Sequence, residues 1–455
     1  MTDMKKIPQH TLDYIDSWLA LRSKWADIPG FTVVVAKDGK VLLDKAYGYS
    51  NLDTKKPLQP DHLFRIASQS KTFTATAVMQ LQENGKLRID DYVIDYLPWL
   101  EQHTDDRWQK VTIRLLLSHS AGVIRDGLDS NYWSLQRPFP NTDELHKAIL
   151  ETDLILEPNT KLKYSNYGYA LLGEIIERAS GQMYNNYVIK NIIKPLKLDD
   201  TYPEINSVIQ PQLSNGYTRQ NLNKERLSFP HVSTASMSPA TGFCSTAADL
   251  SRYFSAHLIG SGKLLSNESK REMQRVQWET TKEGAQYGLG LDIEKVGNRK
   301  LIGHSGGFPG FVTRSYIDPE DSVCVIVLTN CHLSWASSIA QAIYGLIDEF
   351  GDEDPKKEHL KYEGRFSGLH GAMDIIAHYG GLRAFASNSW FPLYQVDTLE
   401  VVDDTTLKMT RSDSFANEGE LIKFTFNNDG TIKHIIDSGS LRLPSKDDEL
   451  VQTWE

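Results

Sequence analysis

The chain has 455 residues, 40% of them hydrophobic and 24% charged, with a formal net charge of −10. That length exceeds what one ordinary core organises and implies two domains, one of them large. The acidic balance excludes a nucleic-acid partner, whose phosphates require a basic face.

In chain order, Lys5 and Lys6 open the sequence without the apolar run of a signal peptide behind them. No later stretch reaches the roughly 18 apolar residues of a membrane span. A cytoplasmic location with no membrane partner is therefore expected. Thr11 to Trp25 predicts a helix. Phe31 to Ala36 and Val41 to Tyr47 are β-rich runs separated by Lys37-Asp38-Gly39-Lys40, a tight-turn signal. Ser68 to Asn84 has helical spacing, with Phe73, Ala77 and Leu81 on one face and Gly85 as a stop. Residues 90 to 280 read mostly as helix and long loops, including helices at Ile113 to Leu117 and at Tyr167 to Ser180, the latter ended by Gly181. Strand patterns return after Tyr287. Leu289 to Val296 and Lys300 to His304 flank a Gly297-Asn298 turn, and Val312 to Ile317 and Val323 to Thr329 flank Asp318-Pro-Glu-Asp321. A helix from Trp335 to Phe350 closes this part.

Strands at both ends of the first 350 residues, with a helical block between them, predict an α+β fold. One antiparallel sheet built from both ends is flanked by helices and joined by a helical subdomain. Residues 1–350 form this domain, the polar stretch 351–361 is a linker, and 362–455 reads as a small all-β domain, a barrel or sandwich. Within it, the glycine- and aromatic-rich segment from Tyr379 to Pro392 is the one expected to reach a cleft. Cys244, Cys324 and Cys331 are odd in number and lack metal-ligand spacing. No His-Glu-x-x-His occurs, and neither metal nor cofactor is expected.

Ser68-Gln-Ser-Lys71 opens a predicted helix, so Lys71 sits about one turn beneath Ser68 on the same face. A hydroxyl attacks only once a neighbouring base takes its proton, and a desolvated lysine can serve. The helix N-terminus adds partial positive charge and a free N–H where an oxyanion would form. The bland alternative is a helix-capping serine before a surface lysine. Tyr164-Ser-Asn166 precedes the next strong helix, where Asn166 could equally act as a cap. Gly303-His304-Ser-Gly-Gly307 also fits Gly-x-Ser-x-Gly, with Ser305 as a nucleophile. That elbow needs a helix after the serine, whereas a second strand follows here.

Ser-x-x-Lys, Tyr-x-Asn and His-x-Gly in this order resemble the penicillin-binding protein and class C β-lactamase superfamily. Further similar segments are Asp61-His-Leu-Phe-Arg-Ile-Ala67, Leu116-Leu-Ser-His-Ser-Ala-Gly122, Pro239 to Asp249 and Tyr287-Gly-Leu-Gly290. The resemblance covers about residues 25 to 350. It implies acylation of Ser68, with Lys71 and Tyr164 sharing the acid–base work in an undecided order. Asn166 would hold the substrate amide and orient Lys71, and the N–H groups of Ser68 and Gly307 would form the oxyanion hole. The main departure is His304-Ser305-Gly306 where many members carry Lys-Thr-Gly. A histidine is only partly charged near neutral pH, which makes carboxylate recognition weaker or pH-dependent. His-x-Gly is similar to D-aminopeptidases and some esterases of the family, although His304 also reads as a structural strand residue.

The expected function is a serine hydrolase acting through an acyl-enzyme on a small peptide, amide or ester substrate, most simply a D-amino-acid peptide or small ester. β-Lactamase or D,D-carboxypeptidase activity is the alternative, and a non-catalytic scaffold is the rival from another class. The pocket walls are expected from residues 120 to 140 and 205 to 235. Oligomeric state stays open, with a homo-oligomer as one outcome.

Overall fold

A computed structural model describes residues 6–25, 27–279, 286–368, 371–413 and 417–445. Packing divides the chain into two compact units. One is Asp27–Ser337. The other joins both chain ends, Met1–Ala26 and Ser338–Glu455, and begins with helix α1 (Gln9–Trp25).

The 27–337 unit starts with β1 (Gly30–Lys37), β2 (Lys40–Asn51) and β3 (Lys56–Pro57). Asp38 (φ 52°) and Gly39 (φ 74°) make the left-handed turn that the hairpin requires. Four short strands follow, β4 (Phe64–Arg65), β5 (Gly216–Tyr217), β6 (Ser228–Phe229) and β7 (Cys244–Ser245), with β4 paired to β7 and β5 to β6. The chain returns to the main sheet in β8 (Trp278–Glu279), β9 (Gln286–Tyr287), β10 (Asp292–Val296), β11 (Arg299–Phe308), β12 (Phe311–Asp318) and β13 (Val323–Thr329). The order β3-β2-β1-β13-β12-β11-β10-β9-β8 is antiparallel where β1 meets β13, with Phe31 opposite Thr329 and Val35 opposite Val325. Both strands are buried along nearly their whole length, as their continuous Val/Ile/Leu runs require.

Between these groups lie α2 (Ser70–Glu83), α3 (Ile113–Leu117), α4 (Thr142–Leu150), α5 (Asn166–Ser180), α6 (Tyr184–Val188), α7 (Lys194–Leu196), α8 (Ser238–Thr241), α9 (Ala247–Ala256) and α10 (Asn267–Gln274). Phe73 of α2 stacks between Phe243 and Tyr253 at ring-centroid distances of 4.6 and 3.8 Å. The helix expected from Ser68 begins instead as a 3₁₀ turn, Ala67–Gln69. Ala67 is left-handed (φ 51°), and Ser70 Oγ donates to its carbonyl at 2.6 Å. The turn thus projects Ser68 ahead of the regular helix.

In the second unit, α11 (Ala336–Phe350) leads to a closed barrel of β14 (Gly364–Gly368), β15 (Gly371–His378), β16 (Gly381–Ala386), β17 (Val396–Asp403), β18 (Thr406–Ser412), β19 (Leu421–Phe426), β20 (Ile432–Asp437) and β21 (Ser440–Pro444). Phe366, Ile375, Leu407 and Ile435 fill its core. Helix α1 belongs to this unit because Tyr14 donates to Asp374 Oδ2 at 2.9 Å and Trp18 meets Trp390 edge-on at 5.9 Å. Among the described residues no helix is long and apolar enough to cross a membrane.

Candidate active site

Ser68 is half-buried at the tip of its 3₁₀ turn, and Lys71 is wholly buried one turn later. Lys71 Nζ lies 3.1 Å from Ser68 Oγ, 2.7 Å from Asn166 Oδ1 and 2.8 Å from the Ala240 carbonyl. A neutral amine has two hydrogens and one lone pair. In that form the two carbonyl oxygens can take the hydrogens, and the lone pair can face the serine hydroxyl. Burial pushes Lys71 well below its ordinary range, since removing water disfavours the ammonium. The Asp126 carboxylate opposes that shift and the Arg125 charge adds to it.

Asn166 can reach Lys71 because Ser165 caps α5, its Oγ accepting from Gly168 N at 2.9 Å. Asn166 is therefore not the cap that its residue type also suggested. Its Nδ2 donates to Asp126 Oδ1 at 2.7 Å, which fixes the amide orientation. Tyr164 ends the approach to α5. Its ring lies 4.9 Å from Lys71 Nζ. Burial raises its phenol above the usual range, and a hydrogen bond with Ser68 pulls it partly back. His119 packs against Tyr164 at 4.1 Å and accepts from Ser165 N at 3.1 Å. It offered no ligand spacing in the sequence, yet it braces the Tyr164 segment.

The other wall is β11. A Cβ on Gly306 would lie 2.1 Å from the Ile66 carbonyl and 2.4 Å from Thr313 Oγ1, so the absent side chain lets the strand close on the Ser68 turn. Gln69 ties the same turn to β12, donating to Thr313 Oγ1 at 2.8 Å and accepting from Ser315 Oγ at 2.6 Å. Gly307 is exposed with open space at its Cα. Ser305 takes part through its backbone, with its N–H donating to Asp292 Oδ2 at 3.2 Å. Because β11 continues through Ser305 and turns directly into β12, the nucleophile-elbow context is absent.

His304 is 1% exposed. Its Nδ1–H donates to the Ser305 carbonyl at 2.6 Å, and its Nε2 accepts from Tyr287 Oη at 3.1 Å. Burial lowers its pKa, while Asp292 opposes that shift. The imidazole is thus a neutral, doubly bonded part of the wall. The structure brings Ser68, Lys71, Tyr164 and Asn166 into one hydrogen-bonded set and lays Gly306 against it. Sequence reasoning missed Asp126, Gln69, the Ala240 carbonyl and the Tyr287–His304 bond. Asp126 lies in a segment with no motif, Gln69, Ala240 and Tyr287 sit inside quoted motifs whose spacing does not reveal these contacts, and a backbone carbonyl has no residue signature. Among the described residues, no group of three or more His, Cys, Asp or Glu side chains could hold a metal ion.

An antiparallel sheet flanked by helices, with a serine and a lysine one turn apart facing a tyrosine, defines the β-lactamase/transpeptidase-like class. The Beta-lactamase family profile matches residues 16–343, and the chain belongs to that family. Penicillin-binding protein 4* of Bacillus subtilis (strain 168) is 30% identical over 324 residues, covering 66% of this chain and 67% of that protein. Protein flp of Staphylococcus aureus (strain MRSA252) is 25% identical over 320 residues, 69% of this chain, and the match spans 62% of flp's length. Two solved structures share the fold. An octameric penicillin-binding protein homologue from Pyrococcus abyssi has a TM-score of 0.66 at 23% identity over 95% of this chain and 99% of its own. A D-stereospecific amidohydrolase from Streptomyces sp. has a TM-score of 0.64 at 24% identity over 73% of this chain and 97% of its own.

Proposed function

We propose that the chain is a serine hydrolase that acts through an acyl-enzyme on amide or ester bonds of small substrates, with D-amino-acid peptides and amides as the preferred class. The observation that carries this reading is the Lys71 amine, held by two carbonyl oxygens with its third position 3.1 Å from Ser68 Oγ. In this mechanism Lys71 takes the Ser68 proton as Oγ bonds to the substrate carbonyl carbon. The N–H groups of Ser68 and Gly307 stabilise the resulting oxyanion. Tyr164 gives its proton to the leaving group as the carbonyl–leaving-group bond breaks, and it is reprotonated from Lys71. Water then releases the acyl group by the reverse relay. The downward shift of Lys71 and the upward shift of Tyr164, both caused by burial, support lysine as the group that takes the first proton. The D-class is supported by the likeness to the Streptomyces amidohydrolase and to a D-amino acid amidase from Ochrobactrum anthropi SV3.

The test is hydrolysis of D-alanyl and L-alanyl p-nitroanilides, p-nitrophenyl acetate and nitrocefin by wild type and Ser68→Ala. D-selective amide turnover lost in the variant is the expected result. Ester turnover alone would reassign the substrate to esters, and nitrocefin turnover to β-lactams. A Ser68→Ala chain as active as wild type would end the reading. Failure of a fluorophosphonate to label Ser68 would leave a scaffold.

A further inference from the structure

Two features of the site rim bear on which substrates enter. On the sheet side, His304 stands where a lysine would supply fixed charge, and both of its ring nitrogens are engaged as a neutral imidazole. The nearby Arg314 guanidinium is 2% exposed and pairs with both Asp292 and Glu294, each at 2.9 Å. Among the described residues, His304 and Arg314 therefore give this wall no free positive group.

On the helical side the situation is reversed. The Arg125 guanidinium carbon lies 5.4 Å from the centre of the Tyr164 ring, and its side chain is 62% exposed. Its backbone carbonyl accepts from both Asn166 N (2.9 Å) and Tyr167 N (3.2 Å), so its root is fixed to the start of α5. Among the described residues its guanidinium is engaged through Nε, by Asp126 Oδ2 at 3.1 Å. That contact tethers the group while most of the side chain stays exposed beside the proton-carrying phenol. Asp126 is itself oriented by Asn166 Nδ2 and by Tyr132 Oη, so the clamp is anchored from behind.

We propose that Arg125 is a specificity-determining residue that binds a carboxylate of the substrate at the mouth of this site, replacing the charge that His304 lacks. The substrate class narrows to short peptides with a free carboxylate, and this step rests on the hydrolase reading above. A planar guanidinium edge recognises a carboxylate through two parallel N–H···O bonds, which a lysine cannot reproduce.

The test separates binding from turnover. The Ser68→Ala chain is titrated calorimetrically with N-acetyl-D-phenylalanylglycine and with its C-terminal carboxamide, which differ only in charge. Tighter binding of the carboxylate, on the order of 10-fold, is expected. Arg125→Gln in the same background should bring the two peptides within about twofold of each other, and Arg125→Lys should retain part of the difference. A global structural role would weaken both peptides alike and would not abolish the difference between them. Equal affinity of the parent chain for the two peptides, or a preference that survives Arg125→Gln, overturns the proposal. Turnover lost in Ser68→Ala bears only on the hydrolase reading, so the two can fail independently.

Discussion

Lys71 and Tyr164 address the same oxygen of Ser68, and burial acts on them in opposite directions. It lowers the pKa of the amine, whose charged form is protonated, and raises that of the phenol, whose charged form is deprotonated. Both shifts favour a free amine beside an intact phenol. Activity should fall as pH drops through the depressed Lys71 pKa, because the base becomes protonated. On the alkaline side it should persist beyond the ordinary tyrosine range, because Tyr164 keeps its proton. A kcat/KM profile with p-nitrophenyl acetate should show this acid limb, and Lys71→Ala should remove it with a rate loss of about 10²–10⁴. An acid limb unchanged in that variant would move the base to another group. Asn166→Asp tests the same balance from the neighbouring residue. A carboxylate 2.7 Å from Nζ favours the ammonium, so the acid limb should move to higher pH.

The two glycines of β11 after Ser305 differ in what surrounds them. Gly306→Ala would place a methyl group inside contact distance of the Ile66 carbonyl and Thr313 Oγ1, forcing β11 away from the Ser68 turn. The Gly307 amide would then leave its position, and the rate should fall on the order of 10²-fold or more. Gly307→Ala meets open space and should melt within a degree or two of wild type, whereas Gly306→Ala should melt several degrees lower. Equal melting temperatures in a thermal scan would mean that β11 does not rely on this approach. The same elements explain what could be read in advance. Ser68 to Lys71 was legible because one helical turn is a local relation, and the hairpin around Gly39 because its turn is written in adjacent residues. Ser165 and Asn166 are both good caps by type, and only the Ser165–Gly168 bond distinguishes them. Asp126 arrives from a distant loop and the Ala240 carbonyl from the short helix α8, so no spacing along the chain announces either contact.

At the scale of the molecule, composition along the chain suggested boundaries at 350 and 362, but packing groups α1 and the barrel in one unit. The reason lies in side chains separated by more than three hundred positions, which a linear pattern does not pair. Tyr14 bonds Asp374, whose carboxylate also takes two hydrogen bonds from Arg365 at 2.8 and 2.9 Å. Arg22 lies 4.6 Å over the Trp390 ring that Trp18 meets edge-on. The first residues of the chain should therefore stabilise its last hundred. Trp18 has no exposed surface, so Trp18→Ala should cost about 3–5 kcal/mol. Tyr14→Phe removes one bond from a carboxylate that keeps its arginine, and should cost about 0.5–1.5 kcal/mol. Amide exchange in β15 and β16 should accelerate in that order. If Trp18→Ala left those strands as protected as in wild type, α1 would be packed on the barrel without supporting it.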